Sequence, residues 1–336
     1  MLKKYDVITF GRSSIDLYSQ DIGATFTDIT GFDAFVGGSP LNIAVGCARL
    51  GINASLLTAV GRDKVGEFIL NFLNKEGVNT QYIPVKKGAR SSAVVLGIEP
   101  PDRFPLVFYR DNAADSQVNI DDVQRANIPE HRMLLINGTA MNGEPSRSAT
   151  FYAAEIANRN NVDVVLDLDF RADQWHDYRA YGITMRAVLP KVRIAIGTEE
   201  EILAATMENT AQVTIKDQQI SAPEIKGNVE ESIARLLTTG VETLIVKRGK
   251  DGASICSKDG TMRNVPGFPV DVLNVLGAGD AFASGFLYGV LQGWDLYKAC
   301  RMGNASGAHV VTQKGCANFM PTLKESLAFI KKNGGF

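Results

Sequence analysis

Cysteine is scarce in this 336-residue chain, and its distribution excludes several chemistries at once. Cys47, Cys256, Cys300 and Cys316 stand far apart with no CxxC among them. That argues against structural zinc and a disulfide framework, and it favours a reducing compartment, the cytoplasm. The three histidines, His131, His176 and His309, have no metal-ligand spacing and read as structural. No apolar run approaches the roughly 20 residues of a membrane span. The opening Met1–Asp6 leads straight into a strand-like stretch and lacks the apolar region of a signal peptide. Net charge is also missing: 35 basic against 37 acidic residues leave -2, too little to gather nucleic acid or an anionic membrane. Two phosphate signatures are absent as well. There is no Walker A loop, and Gly11-Arg12-Ser13-Ser14 does not fit a GxGxxG fingerprint.

What remains is an ordinary globular composition, 45% hydrophobic and 21% charged, in a chain long enough to bury a large core. Short apolar runs alternate with amphipathic ones. Strands are expected at Tyr5–Phe10, Ala54–Val60, Met133–Asn137, Val162–Leu168, Arg193–Ile196 and Glu242–Lys247. Helices are expected at Pro40–Leu50, Val65–Glu76, Ser146–Asn158, Glu199–Met207 and Glu230–Thr239, then at Asp280–Gln292 and Leu296–Val311. The last two are rich in Ala and Gly, which predicts close packing. This alternation predicts an α/β fold with a mainly parallel sheet covered on both faces, its ligands beyond the carboxyl ends of the strands. Residues 16–36 and 91–112 break the rhythm with β-type alternation and no intervening helix. Ser91–Ile98 and Leu106–Tyr109 read as a hairpin around Pro100-Pro101-Asp102. A small lid sheet over the carboxyl edge is the preferred reading, and an edge extension of the main sheet is the alternative. The chain, 1–336, is then one domain with the lid segments inserted.

Two motifs carry chemistry. Gly277-Ala278-Gly279-Asp280 follows an apolar run and opens a helix, where backbone amides and the helix dipole suit a phosphate. Asp280 beside that cradle is placed to accept a proton, although a first-turn carboxylate also stabilises a helix for its own sake. Gly37-Gly38-Ser39-Pro40-Leu41-Asn42 reads as a helix start with Ser39 at the N-cap and Pro40 at the first position. Capping does not explain two glycines and Asn42, whereas backbone and an amide against a hydroxyl-rich ligand would. Arg110 ends a lid strand and Arg171 follows an apolar strand, so both can reach the cleft and clamp a carboxylate through paired hydrogen bonds. The alternative for each is a surface ion pair.

The early diglycine with Asn42, the late Gly277–Asp280 run and Asp16 after the first strand resemble the ribokinase-like (PfkB) carbohydrate kinases over essentially the whole chain. The resemblance implies a three-layer α/β/α sandwich with a small β lid, and ATP and a divalent cation (Mg2+) as co-substrates. Phe108-Tyr109-Arg110-Asp111-Asn112-Ala113-Ala114-Asp115 and the Asp167–Trp175 region are similar to segments of the 5-dehydro-2-deoxygluconokinases of inositol catabolism. The implied reaction is ATP-dependent phosphorylation of the primary hydroxyl of an acidic keto-sugar. The implied roles are Asp280 as base with Gly277, Ala278 and Gly279 as the anion cradle. Asp16, Gly37, Gly38, Asn42, Tyr109, Arg110 and Arg171 would meet the sugar. Lys247, Gly249, Gly252 and Asn304 would meet the nucleotide, and Glu200 the magnesium.

Departures from the pattern matter equally. Asn274-Val275-Leu276 replaces the family's Asp-Thr-Thr, which predicts little dependence on a monovalent cation. Gly197-Thr198-Glu199-Glu200 keeps only the glutamate of the magnesium motif. The turn glycines 249 and 252 also serve a hairpin, and Asn304 also reads as a packing compromise. Rival kinase readings are 2-keto-3-deoxygluconate kinase, fructokinase and nucleoside kinase. The rival of another class is a non-catalytic sugar sensor, which has no need of Asp280. Pairing of two copies through the lid is a further expectation from the family.

Overall fold

Successive strand residues face opposite sides of a sheet, so a strand apolar at every position needs cover on both. The computed structural model, which describes residues 3–99, 103–215 and 223–336, supplies that cover. In the His131–Asn137 strand, Met133 and Leu135 pack with Val7, Val165 and Ile245 on one face. Leu134 and Ile136 pack with Ile8, Val164 and Leu166 on the other. The first face is covered by the helices Ser39–Arg49, Ala278–Leu291 and Leu296–Val310. The second is covered by Ser146–Arg159, Tyr178–Val188, Glu199–Thr206 and Val229–Leu237. The Ala- and Gly-rich pair touches closely, as expected: a side chain at Gly285 would lie 2.6 Å from Ser306 Oγ, and one at Gly303 2.8 Å from the Phe282 carbonyl.

Among the described residues the main sheet has eight strands, in the order Met262–Val265, Ala253–Ser257, Thr243–Lys247, Ile194–Thr198, Asp163–Asp167, His131–Asn137, Tyr5–Phe10 and Ala54–Leu57. The last six run parallel, and the first two add an antiparallel edge that the sequence reading did not anticipate. The Tyr178–Val188 helix was not anticipated either. Its buried face includes Gly182 and Thr184, which dilute the apolar period.

Strands Phe32–Gly37, Ser14–Ser19, Ser92–Leu96 and Leu106–Tyr109 form a separate four-stranded sheet, so the lid segments do not extend the main one. Its central pair is parallel and its outer pairs are antiparallel. The expected turn at Pro100-Pro101-Asp102 lies outside the described residues. The inner face of this sheet builds a small core of Tyr18, Val94, Leu96, Ile98, Phe104, Leu106 and Cys316, with Leu276 against it. Leu276 directly precedes Gly277, so the lid stands over the start of the Ala278–Leu291 helix.

Candidate active site

Asn137, Asp167, Thr198 and Lys247 end four adjacent parallel strands, at the sheet edge where an α/β fold binds its ligands. A cavity of about 360 Å³ opens there, lined by Asp167, Asp169, Arg171, Glu200, Glu201 and Lys247 together with the 275–280 backbone. Gly277 precedes the helix in a left-handed conformation, φ 82°, and Cys316 Sγ fills the place where its side chain would go, 2.5 Å away. No side chain caps this helix start, and while the Ala278 amide donates to Val275 O at 3.3 Å, the Gly279 and Asp280 amides are open to a ligand. A Cβ at Gly279 would sit 3.0 Å from Lys247 Nζ, so the lysine rests against the glycine turn.

Lys247 Nζ lies 3.5 Å from Asp167 Oδ1 and 3.7 Å from Glu201 Oε2, and it keeps its proton firmly: burial disfavours the charge, but these carboxylates outweigh burial. Burial, reinforced by Glu201 and Asp169, pushes Asp167 up to about 7 in spite of Lys247. Asp169 is buried too, yet Arg171 at 2.7 Å holds it below the usual carboxylate range. Its backbone is left-handed, φ 37°, an uncommon conformation for a non-glycine residue and one that clusters at functional sites.

Among the described residues, six carboxylates, from Asp167, Asp169, Glu200, Glu201, Glu224 and Asp280, face this cavity with Lys247 and Arg171 as cations. Bare phosphates would be repelled there; phosphates carrying a divalent cation fit. Among the described residues no three His, Cys, Asp or Glu side chains are placed to hold a metal by themselves. The oxygen-rich wall would suit magnesium held largely by phosphate and water, the ion's usual habit, and Glu200, the metal residue expected from sequence, lines it.

A second, smaller cavity of about 60 Å³ lies under the lid, lined by Arg12, Asp16, Tyr18, Gly38, Ser39, Asn42, Phe108 and Cys316. Arg171, Leu276, Gly277 and Asp280 line both cavities, which puts Asp280 at their junction. Asn42 Nδ2 donates to Asp280 Oδ2 at 2.7 Å, while Asn42 Oδ1 is buried without a partner among the described residues. Burial, then the charge of Asp169, holds the Asp280 carboxyl above its ordinary range, against the hydrogen bonds of Asn42 and Ser39. Asp16 Oδ1 accepts from Ser14 Oγ at 2.6 Å, and burial raises Asp16 as well. Asp16 also occupies the space beside Gly37: a Cβ there would fall 1.8 Å from Asp16 Oδ2. Gly38, φ 108°, lies against the Arg12 carbonyl. The diglycine is thus demanded first by protein atoms.

Other expected residues sit elsewhere. Ser39 is not a cap: Gly38 holds the N-cap position, and Ser39 Oγ donates to Asp167 Oδ2 at 3.1 Å and accepts from Asn137 Nδ2. Arg110 lines neither cavity. Its guanidinium pairs with the fully buried Asp115 at 2.6 Å and donates to Thr139 O and Gln174 Oε1, because an Asp buried there requires a counter-ion. Tyr109 is 62% exposed on the lid. Gly249 and Gly252 shape the turn after Lys247, and Asn304 Nδ2 donates to Val265 O and Pro266 O. Conversely, Arg12, Asp167, Glu201 and Cys316 were missed. Arg12 follows the first strand's carboxyl end, a positional signal that could have found it.

The model of the pfkB family carbohydrate kinases matches residues 4–323. A 5-dehydro-2-deoxygluconokinase of Clostridium perfringens (strain 13 / Type A) is 34% identical over 331 residues, 98% of this chain and 94% of that one. Among solved structures, a fructokinase with bound ATP from Xylella fastidiosa superposes with TM-score 0.84 at 24% identity, over 98% of this chain and 99% of that. A putative ribokinase II from E. coli in complex with ATP and Mg2+ gives 0.83 at 22%, with the same coverage. Among the described residues no helix is long and apolar enough to cross a membrane. A family match over nearly the whole chain, on a ribokinase-like fold with a carboxylate beside a glycine turn at the sheet's carboxyl edge, leads to one conclusion: this protein is a member of the pfkB family, an ATP-dependent carbohydrate kinase.

Proposed function

We propose that the protein transfers the γ-phosphoryl group of ATP to the primary hydroxyl of 5-dehydro-2-deoxygluconate, giving the 6-phosphate. The observation that carries this reading is Asp280 at the junction of two cavities, one rich in carboxylates and floored by the glycine turn, the other lined by arginine, carboxylate and amide side chains. The name shared by the 32–34% identical relatives supports the choice of acid. In the proposed reaction the sugar hydroxyl gives its proton to the Asp280 carboxylate as its oxygen bonds the phosphorus and the bond to the ADP oxygen breaks. The amides of Gly279 and Asp280 and the Lys247 ammonium hold the charge on the transferring group, the main contribution expected of a protein in phosphoryl transfer. Magnesium near Glu200 would neutralise the phosphates. The four-stranded sheet acts as a lid that excludes water from the acceptor. Its exposed apolar residues, Phe32, Val107 and Tyr109, support pairing of two copies through this sheet.

Measuring ATP consumption with 5-dehydro-2-deoxygluconate, 2-keto-3-deoxygluconate, fructose and a nucleoside tests the proposal. The first should give the highest kcat/KM. A preference for fructose or the nucleoside would reject the acidic acceptor, and a preference for the second would move the assignment to its kinase.

A further inference from the structure

A guanidinium withdrawn from water needs an anion or a full set of acceptors. Three arginines of the site region differ in how that need is met. Arg110 has Asp115 at 2.6 Å and Arg171 has Asp169 at 2.7 Å. Arg12, in the turn between the first strand and the lid, is only 9% exposed, yet among the described residues it forms no ion pair with a carboxylate. One hydrogen bond engages it, from Nη1 to Ser14 Oγ at 3.0 Å, and its guanidinium carbon stands 4.9 Å from the centre of the Phe108 ring. Its hydrogen-bonded link to a carboxylate runs through that hydroxyl, since Ser14 donates onward to Asp16 at 2.6 Å, and its charge reaches Asp16 and Asp169 through space without an ion-pair contact. A guanidinium has five N–H donors in a planar fork, so most of this one's capacity is left over. Arg12 also lines the small cavity, on whose wall Asp280 stands.

We infer that Arg12, and not Arg110, is the counter-ion of the acceptor's carboxylate, the residue by which this kinase selects an acidic over a neutral sugar. The inference rests on the acidic-sugar reading above and deepens it. Phe108 fixes the plane of the guanidinium and Ser14 fixes one edge, which leaves the other edge to receive a carboxylate through paired hydrogen bonds. The acceptor then spans the cavity from Arg12 at its carboxylate to Asp280 at its primary hydroxyl, so the charge at one end sets which hydroxyl meets the base at the other.

The test compares the wild type with Arg12→Met and Arg12→Lys in the full chain. Acceptors are 5-dehydro-2-deoxygluconate and its neutral counterpart, with a hydroxymethyl group in place of the carboxylate. A charge-assisted pair of this kind corresponds to about 10- to 100-fold in affinity. Arg12→Met should raise KM for the acid by that factor and lower the acid-to-neutral ratio of kcat/KM equally, with KM for ATP and the melting temperature little moved. Arg12→Lys, which keeps the charge without the fork, should fall between. Equal losses on both acceptors, or an unchanged ratio, would overturn the assignment and leave Arg12 as a support for Ser14 and Asp16. The wild type read alone separates the two layers: if it does not prefer the acid, the acidic-sugar reading fails and the assignment fails with it.

Discussion

Gly37→Ala is the perturbation whose consequence can be worked most directly from the geometry. A methyl group at position 37 would lie 1.8, 2.2 and 2.5 Å from Oδ2, Cγ and Oδ1 of Asp16, distances at which one group must leave. Gly37 is held opposite Ser14 in the lid ladder, and Asp16 opposite Phe35, so the backbone has little room to shift. The carboxylate therefore rotates away and gives up its 2.6 Å bond from Ser14. Overpacking of this kind costs about 1–3 kcal/mol and a buried bond lost from a charged group about 1–3 kcal/mol more, so a total of about 2–6 kcal/mol is expected from urea unfolding. Asp16→Ala removes all three clashing atoms. The double variant should accordingly be about as stable as Asp16→Ala alone, so that the coupling in a double-mutant cycle equals the full Gly37→Ala loss. Kinetics should part from stability: both single variants and the double one raise KM for the sugar and leave KM for ATP near normal. Additive losses in stability, or wild-type sugar affinity in Gly37→Ala, would refute the idea that this glycine exists to make room for Asp16.

Three further outcomes follow from the site. Asp280→Asn keeps an acceptor for Asn42 at the same place but cannot take a proton, so kcat should fall by about 10²–10⁴ while sugar affinity holds; substantial turnover would remove Asp280 from the role of base. The base works ionised, so activity should be lost as pH falls through its raised pKa. The charge of Asp169 is one cause of that elevation, after burial, so Asp169→Asn should move the acidic limb of the kcat profile to lower pH, and an upward or absent shift contradicts the electrostatic account. The Asn274 side chain bridges backbone groups, donating to Lys314 O at 3.1 Å and accepting from Leu276 N at 3.0 Å. Turnover in choline should therefore match turnover in potassium, and a strict potassium requirement would reject that reading of Asn274-Val275-Leu276.

Legibility in the sequence followed the range of the interactions concerned. The Tyr5–Phe10 strand, the Ser146–Arg159 helix and the Leu296–Val310 helix could be read nearly to the residue, because each is specified by its own apolar period and end signals. The Gly277–Asp280 turn was legible for the same reason: its glycines and first-turn carboxylate are neighbours in the chain. The antiparallel edge strands Ala253–Ser257 and Met262–Val265 were not anticipated. The second of these is largely exposed and takes its hydrogen bonds from a partner strand, so its apolar pattern is weak.

Which arginine faces the sugar was beyond local reading altogether. Arg12, Arg110 and Arg171 look alike in sequence, each near the end of a strand, and only the fold brings Asp115 into an ion pair with one and Asp169 into an ion pair with another, while among the described residues the third has none. The same holds for Gly37, whose neighbour Asp16 arrives from 21 positions away through the lid ladder. Most of the elements, their alternation and the phosphate-side turn were legible in the chain alone, because those depend on contacts a few residues apart. The tertiary structure decided how each buried charge is matched, because electrostatic partners are set by distance in space and by the water that burial removes.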